Sequence, residues 1–163
     1  MRPEAVQALS GSELILHAGD VGSEDVLDRL RRIAPVIAVR GNVDSGVWAD
    51  ALPITAAVEL GEHRIWMLHD LGNLDLDPVC GGFGIVIYGH SHQPVQQVKN
   101  GVIYLNPGSA GPRRFRLPVS VVRADFAVNP PSITFIDLLT SKQYPDSEGS
   151  NPLLGPPGHG RLR

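Results

Sequence analysis

Apolar residues run along this chain in short blocks, many of them followed by Gly, Asn, Asp or His, and the spacing inside a block sets the element it predicts. Ala5, Val6 and Leu9 fall at helical spacing behind Pro3, a residue suited to the first turn of a helix, so a short helix is predicted over 3–9. Leu14-Ile15-Leu16 reads as a short strand. Ser23 is placed to cap a helix running to about Ile33, with Val26, Leu27, Leu30 and Ile33 on one face. Val36-Ile37-Ala38-Val39 repeats the strand signal, and Gly41-Asn42-Val43-Asp44 ends it with turn residues.

Further along, the blocks change character. Residues 56–60 and 64–68 read as two strands joined by the tight Gly61-Glu62-His63 connection, and 85–88 as a buried strand stopped by Gly89. Residues 95–99 and 102–105 flank Asn100-Gly101, a pair that favours the positive φ angles of a two-residue hairpin. Residues 119–122 and 133–138 are the closing strands. From Thr140 onward the chain turns to Ser, Pro and Gly with few apolar anchors, which divides it into a domain over 1–139 and a flexible polar tail over 140–163. Strands that alternate with helices early and run as hairpins late predict a parallel sheet joined to an antiparallel one, in an α/β or α+β sandwich.

Composition narrows the function classes. With 163 residues, 42% hydrophobic and 19% charged, the chain can order a single core. A formal net charge of -3 argues against bulk nucleic-acid binding and leaves room for a local anion site. One cysteine, Cys80, allows no intramolecular disulfide framework and no thiolate zinc cage from a single chain, and it points to a reducing cytoplasm. No block approaches the ~20 apolar residues of a membrane span, and the first residues carry no signal-peptide core, so no membrane partner is expected.

The chemistry sits just past the blocks: Asp20 after 14–16, Asn42 after 36–39, His69 after 65–68, and His90 with His92 after 85–88. In open α/β sheets the carboxyl ends of strands are where ligands gather. A carboxylate, an amide oxygen and imidazoles together suit manganese, iron or zinc better than calcium, which prefers oxygen alone. Gly19-Asp20 and Gly41-Asn42 are each ordinary turn dipeptides. Two imidazoles one residue apart directly after an apolar strand are less ordinary, and the conjunction of all the pieces in this order is what points to a metal site.

Gly19-Asp20, Gly41-Asn42-Val43-Asp44, Leu68-His69-Asp70, Gly89-His90-Ser91-His92 and Asn106-Pro107-Gly108-Ser109 resemble the ordered motif series of the calcineurin-like metallophosphoesterases, of the small bacterial and archaeal phosphodiesterase type. The resemblance implies a four-layer α/β/β/α sandwich with a dinuclear site between its two sheets. It implies two divalent ions, manganese first, with nickel, iron or zinc as alternatives. It also implies roles: Asp20 bridging both ions, Asn42, His69 and His90 completing one, and His92 serving the other. The substrate implied is a small phosphoester, a diester above all, attacked by a metal-bridging hydroxide.

At the front, similar proteins open with a strand ending in Asp-x-His, which supplies two further ligands to the second metal; here Met1 stands where that motif has already passed. A central strand buries several aliphatic side chains worth about 1.5–3 kcal/mol each, against a domain stability of about 5–15 kcal/mol. The expectation is therefore a natural protein with further residues upstream, and a chain impaired at its second metal as it stands, unless Glu4 or His17 replaces the missing ligands.

Similar phosphatases often place a histidine after the motif asparagine to protonate the leaving group. The residue here is Val43, which leaves Asp44, His69 and water as candidates. Arg40, Arg113, Arg114 and Arg116 offer guanidinium donors for phosphate oxygens, with Arg113 the expected substrate contact, although surface solubility is the better explanation of most of them. His17 is either a support for the ligands or a satisfied core histidine, while His63 and His159 read as solvated, and Cys80 as a small core or loop residue. The competing reading is a non-catalytic protein-interaction scaffold of the same fold, like a eukaryotic retromer subunit, which an exposed apolar patch away from the site would favour.

Overall fold

The computed structural model describes residues 1–113 and 116–145. In chain order these form α1 (Pro3–Leu9), β1 (Ile15–His17), α2 (Glu24–Arg31), β2 (Val36–Ala38), α3 (Val47–Asp50), β3 (Thr55–Leu60), β4 (His63–Leu68), a 3-10 turn (Leu71–Asn73), β5 (Ile85–Ile87), β6 (Val95–Lys99), β7 (Val102–Asn106), β8 (Ser120–Asp125), β9 (Ser132–Asp137) and β10 (Gln143–Pro145). Among the described residues no helix is long and apolar enough to cross a membrane.

Alternation along the strands builds a layered mixed α/β fold. The central sheet has the order β3-β4-β5-β7-β6, parallel through β4, β5 and β7 and closed by an antiparallel strand at each edge. Its inner face carries Ile65, Met67, Ile85, Ile87 and Leu105. These pack against Ile133 and Phe135 of β9, against Ala18 and Val39, and against Leu16 and Ile37 of β1 and β2. The opposing layer is two ladders, β1-β2 in parallel and β10-β9-β8 antiparallel. Because successive strand residues point to opposite faces, Ile15 turns outward onto Leu30 and Ala34 under α2. By the same rule Val121 and Ile136 turn outward onto Ala5 of α1.

The outer face of the central sheet is closed differently from the expectation. Leu68, Val86 and Val102, with Trp66, Tyr88 and Tyr104, lie under Leu71 and Leu74 of the 3-10 turn and its flank. The layer expected to be helical is a turn and a loop, because Gly72, Pro78, Gly81, Gly82 and Gly84 leave no uninterrupted stretch for a helix between β4 and β5. The Asn100-Gly101 hairpin is as predicted, with φ of 53° and 77° at its two central residues. Three elements were not anticipated. α3 and the 3-10 turn are too short to show a period, and β10, paired with β9, falls inside the stretch expected as a tail.

Candidate metal centre

Four strands deliver their carboxyl ends to one rim. β4 and β5 are parallel neighbours in the central sheet, and β1 and β2 are parallel neighbours in the facing layer. His69 therefore follows β4 directly, His90 lies shortly past β5, and Asp20 and Asn42 approach from across the sandwich. Asp20, His90 and His92 all have positive φ, at 55°, 63° and 57°. For a residue with a Cβ this conformation costs about 1–2 kcal/mol, and such strain concentrates at functional loops.

Asn42 Oδ1 lies 2.9 Å from His69 Nε2 and 3.0 Å from His90 Nδ1, and the two imidazole nitrogens are 3.4 Å apart. Asp20 Oδ1 stands 3.3 Å from the same His69 Nε2. On the far side of the ring His69 Nδ1 is 2.7 Å from the carbonyl oxygen of Ala18. A carbonyl only accepts, so Nδ1 carries the proton and, in the neutral ring, Nε2 presents a lone pair. That lone pair faces two oxygens. Flipping the Asn42 amide relieves one of them and leaves the Asp20 carboxylate oxygen in place.

A cation among these atoms removes the conflict. Donors bound at about 2.0–2.2 Å around one ion sit about 2.9–3.5 Å from each other, the spacing found here. A histidine that gives its second N–H to a backbone carbonyl is the usual arrangement for a ligand. Among the described residues no three His, Cys, Asp or Glu side chains gather closely enough to hold an ion by themselves; the Asn42 oxygen is what completes the set. Asp20, Asn42, His69 and His90 thus fit a divalent ion. His92, two residues past His90 on the same loop, shares its positive φ.

The loops meet because small residues and one buried carboxylate let them. A Cβ on Gly41 would overlap the backbone nitrogen and Oδ1 of Asp20, and one on Gly19 would come within 2.6 Å of His69 Nδ1. Asp44, only 3% exposed, accepts N–H bonds from Gly22 and Gly41, both at 2.8 Å, and so ties the Asp20 loop to the Asn42 loop. Burial pushes its carboxyl up, but the backbone N–H groups of Gly22, Gly41 and Val21, with His17, outweigh this and hold it below the ordinary carboxylate value. Asn106, at the end of β7 and fully buried, donates to Gly89 O at 2.7 Å and Ser91 Oγ at 3.0 Å, clamping the loop that carries His90. Both clamps escaped the sequence reading as clamps, although both lie in motifs it singled out.

The remaining candidates separate clearly. His17 lies beneath the site, where burial lowers its imidazole against the pull of Asp44 and Asp20, and its enclosed Nδ1 has no hydrogen-bond partner. Arg40 lines a cavity of about 330 Å³ beside His69 and His90. Its guanidinium is bound to Asp50 at 2.8 Å. Arg113 and Arg116 are exposed and the cavity wall does not include them, so the expected contact from Arg113 is not brought to the site. Arg114 and His159 lie outside the described residues. Glu4 and Cys80 are exposed, and His63 packs on Phe126 with its Nε2 3.1 Å from Val128 O.

A family model for the calcineurin-like phosphoesterase superfamily domain matches residues 1–129. The chain belongs to that superfamily, which places it among the phosphoric-ester hydrolases and implies divalent metal ions. It is 36% identical over 132 residues to a probable metallophosphoesterase of Methanothermobacter thermautotrophicus, covering 76% of each chain. It is 34% identical over 123 residues to phosphodiesterase YfcE of Escherichia coli K12, covering 63% of this chain and 66% of that one. The solved structure of E. coli YfcE superposes with a TM-score of 0.66 at 26% identity, covering 85% of both. Vps29 of Entamoeba histolytica, solved with zinc, reaches a TM-score of 0.71 at 22% identity over 90% of this chain and 88% of that one, a likeness of fold.

Proposed function

We propose that this protein is a cytoplasmic, manganese-dependent phosphodiesterase acting on a small phosphoester, with one ion held by Asn42, His69, His90 and Asp20. The observation that carries the reading is the convergence of His69 Nε2 on oxygens of Asn42 and Asp20, at 2.9 and 3.3 Å, with His90 Nδ1 3.0 Å from the same Asn42 oxygen. Two ions when bound would supply a hydroxide nucleophile and a clamp on the phosphoryl oxygens. Asp20 and His92 would be donors to the second ion.

The residues themselves divide the remaining work. Ala18 fixes the His69 ring through Nδ1, Asp44 holds two ligand loops at a set separation, and Asn106 does the same for the His90 loop. Asp44 does not protonate the leaving group, because a carboxylate that accepts two backbone N–H bonds and titrates low carries no proton at neutral pH. Val43, 51% exposed, offers none either. Water is left as the donor, since His69 has committed its N–H to Ala18. His90 and Asn42 are exposed while His69 is buried, so the donor set is open on the side where a substrate arrives.

The scaffold reading has the zinc-bound Vps29 likeness behind it, but the exposed apolar residues among those described do not favour it. Val79, Val98, Val128 and Leu139 lie on four different segments, whereas Val43, Val47 and Ile54 fall on the segments around the cavity. The test is hydrolysis of bis(p-nitrophenyl) phosphate together with metal analysis after gel filtration. We expect manganese-stimulated turnover, abolished by chelator, with metal retained by the chain through gel filtration. Turnover indifferent to chelator, or no retained metal, would sink the reading.

A further inference from the structure

The cavity extends sideways from the donors. In the central sheet His90 follows β5, His69 follows β4, and the next strand outward is β3, whose Thr55 pairs in register with Leu68. Ile54 and Thr55 at the start of β3 form the wall on that side, together with Leu68 and with Asn73 of the 3-10 turn. Ile54 is 65% exposed, an unusual degree for an isoleucine beside a catalytic site. The volume of about 330 Å³ is at the low end of the ~300–1,000 Å³ typical of small-molecule sites, enough for a phosphoryl group and one ring-sized substituent.

Charge decides what that substituent is. Arg40 is the one arginine or lysine on the wall among the described residues, and its NH1 is 2.8 Å from Asp50 while its Nε reaches Asp44 O. Asp70 adds a carboxylate to the same wall, its Oδ1 accepting from Gly72. The sideways part of the cavity therefore presents an apolar side chain, a hydroxyl, an amide and a carboxylate, with its one guanidinium already paired. A second phosphate would meet repulsion there and find no unpaired cation.

We propose that this part of the cavity is the subsite for one organic substituent of a phosphodiester, and that it selects an uncharged, ring-sized group over a further anionic one. The inference rests on the phosphodiesterase reading above and extends it to the substrate class. Ile54 is a specificity-determining residue, covering one face of the ring, while Thr55 and Asn73 hydrogen-bond to polar groups on its edge.

The test uses calorimetry on the manganese-loaded full chain with diphenyl phosphate, dimethyl phosphate and bis(4-carboxyphenyl) phosphate, whose rings each carry a further anionic group, as probes. Diphenyl phosphate is expected to bind about tenfold more tightly than either of the others. Ile54→Asp should weaken diphenyl phosphate by about tenfold and dimethyl phosphate by less than about twofold. Val98→Asp, on the opposite edge strand β6 and equally exposed in kind, should change neither. Equal affinity for diphenyl and dimethyl phosphate, tighter binding of bis(4-carboxyphenyl) phosphate, or equal losses in Ile54→Asp would overturn the subsite while leaving the phosphodiesterase reading intact. Absence of manganese-dependent binding by any probe would overturn both.

Discussion

His69 Nδ1 lies 2.7 Å from the carbonyl oxygen of Ala18, and this bond joins the end of β4 to the end of β1 across the sandwich. It fixes the tautomer of the ring and aims Nε2 at Asn42 and Asp20. Replacing the ring removes both the donor and the link. His69→Ala is expected to lower manganese affinity by about 10–100-fold or more and diester turnover by at least about 100-fold. Metal titration and steady-state rates check this, and near-normal values would remove His69 from the site.

Asp44 makes stability depend on pH in a defined direction. Its folded value lies below the ordinary carboxylate value of about 3.9, so its contribution is present above that value and drains away as pH falls through it toward the folded one. Asp44→Ala leaves the Gly22 and Gly41 N–H groups without their acceptor, which costs about 1–3 kcal/mol for a buried group. In a chain of this size that is a drop of about 2–4 °C in Tm per kcal/mol at neutral pH. The loss should shrink below about pH 4, where the native carboxylate is itself being protonated. A loss that grew with acidity would contradict the assignment.

Gly41 is where two ligand loops touch. In Gly41→Ala the new methyl overlaps Asp20, and relieving it moves either Asp20 or Asn42. Overpacking of this kind costs about 1–3 kcal/mol, and manganese affinity should fall with it. Gly84→Ala, where a Cβ meets nothing within 4 Å, is the matched control and should bind metal normally. Equal behaviour of the two variants would show that the loops do not need this approach.

Asn106 acts on His90 from behind. Asn106→Ala removes both the bond to Gly89 O and the bond to Ser91 Oγ from a fully buried position. The expected cost is about 1–3 kcal/mol. Faster amide hydrogen exchange in the His90–His92 loop and at Gly108, whose N–H loses its Asn106 Oδ1 acceptor at 2.9 Å, and weaker metal retention should accompany it. Unchanged exchange in that loop would assign Asn106 a purely local role.

The sequence by itself determined most of the elements and singled out the candidate donors. Period and turn chemistry placed α1, α2 and β1 to β9 because each has an apolar face that only one spacing can present. Asp20, Asn42, His69 and His90 were legible because they follow those faces directly, at the ends where α/β sheets gather ligands. Tertiary structure decided what depends on partners distant in sequence. The His69 lone pair is aimed by Ala18, fifty-one positions away, and Asp44 became a clamp through Gly22 rather than a proton donor. Arg40 was neutralised by Asp50, and Ile54 was turned to the cavity by the pairing of β3 with β4. No local pattern carries those relations, since each arises where two loops from different layers come within hydrogen-bonding distance.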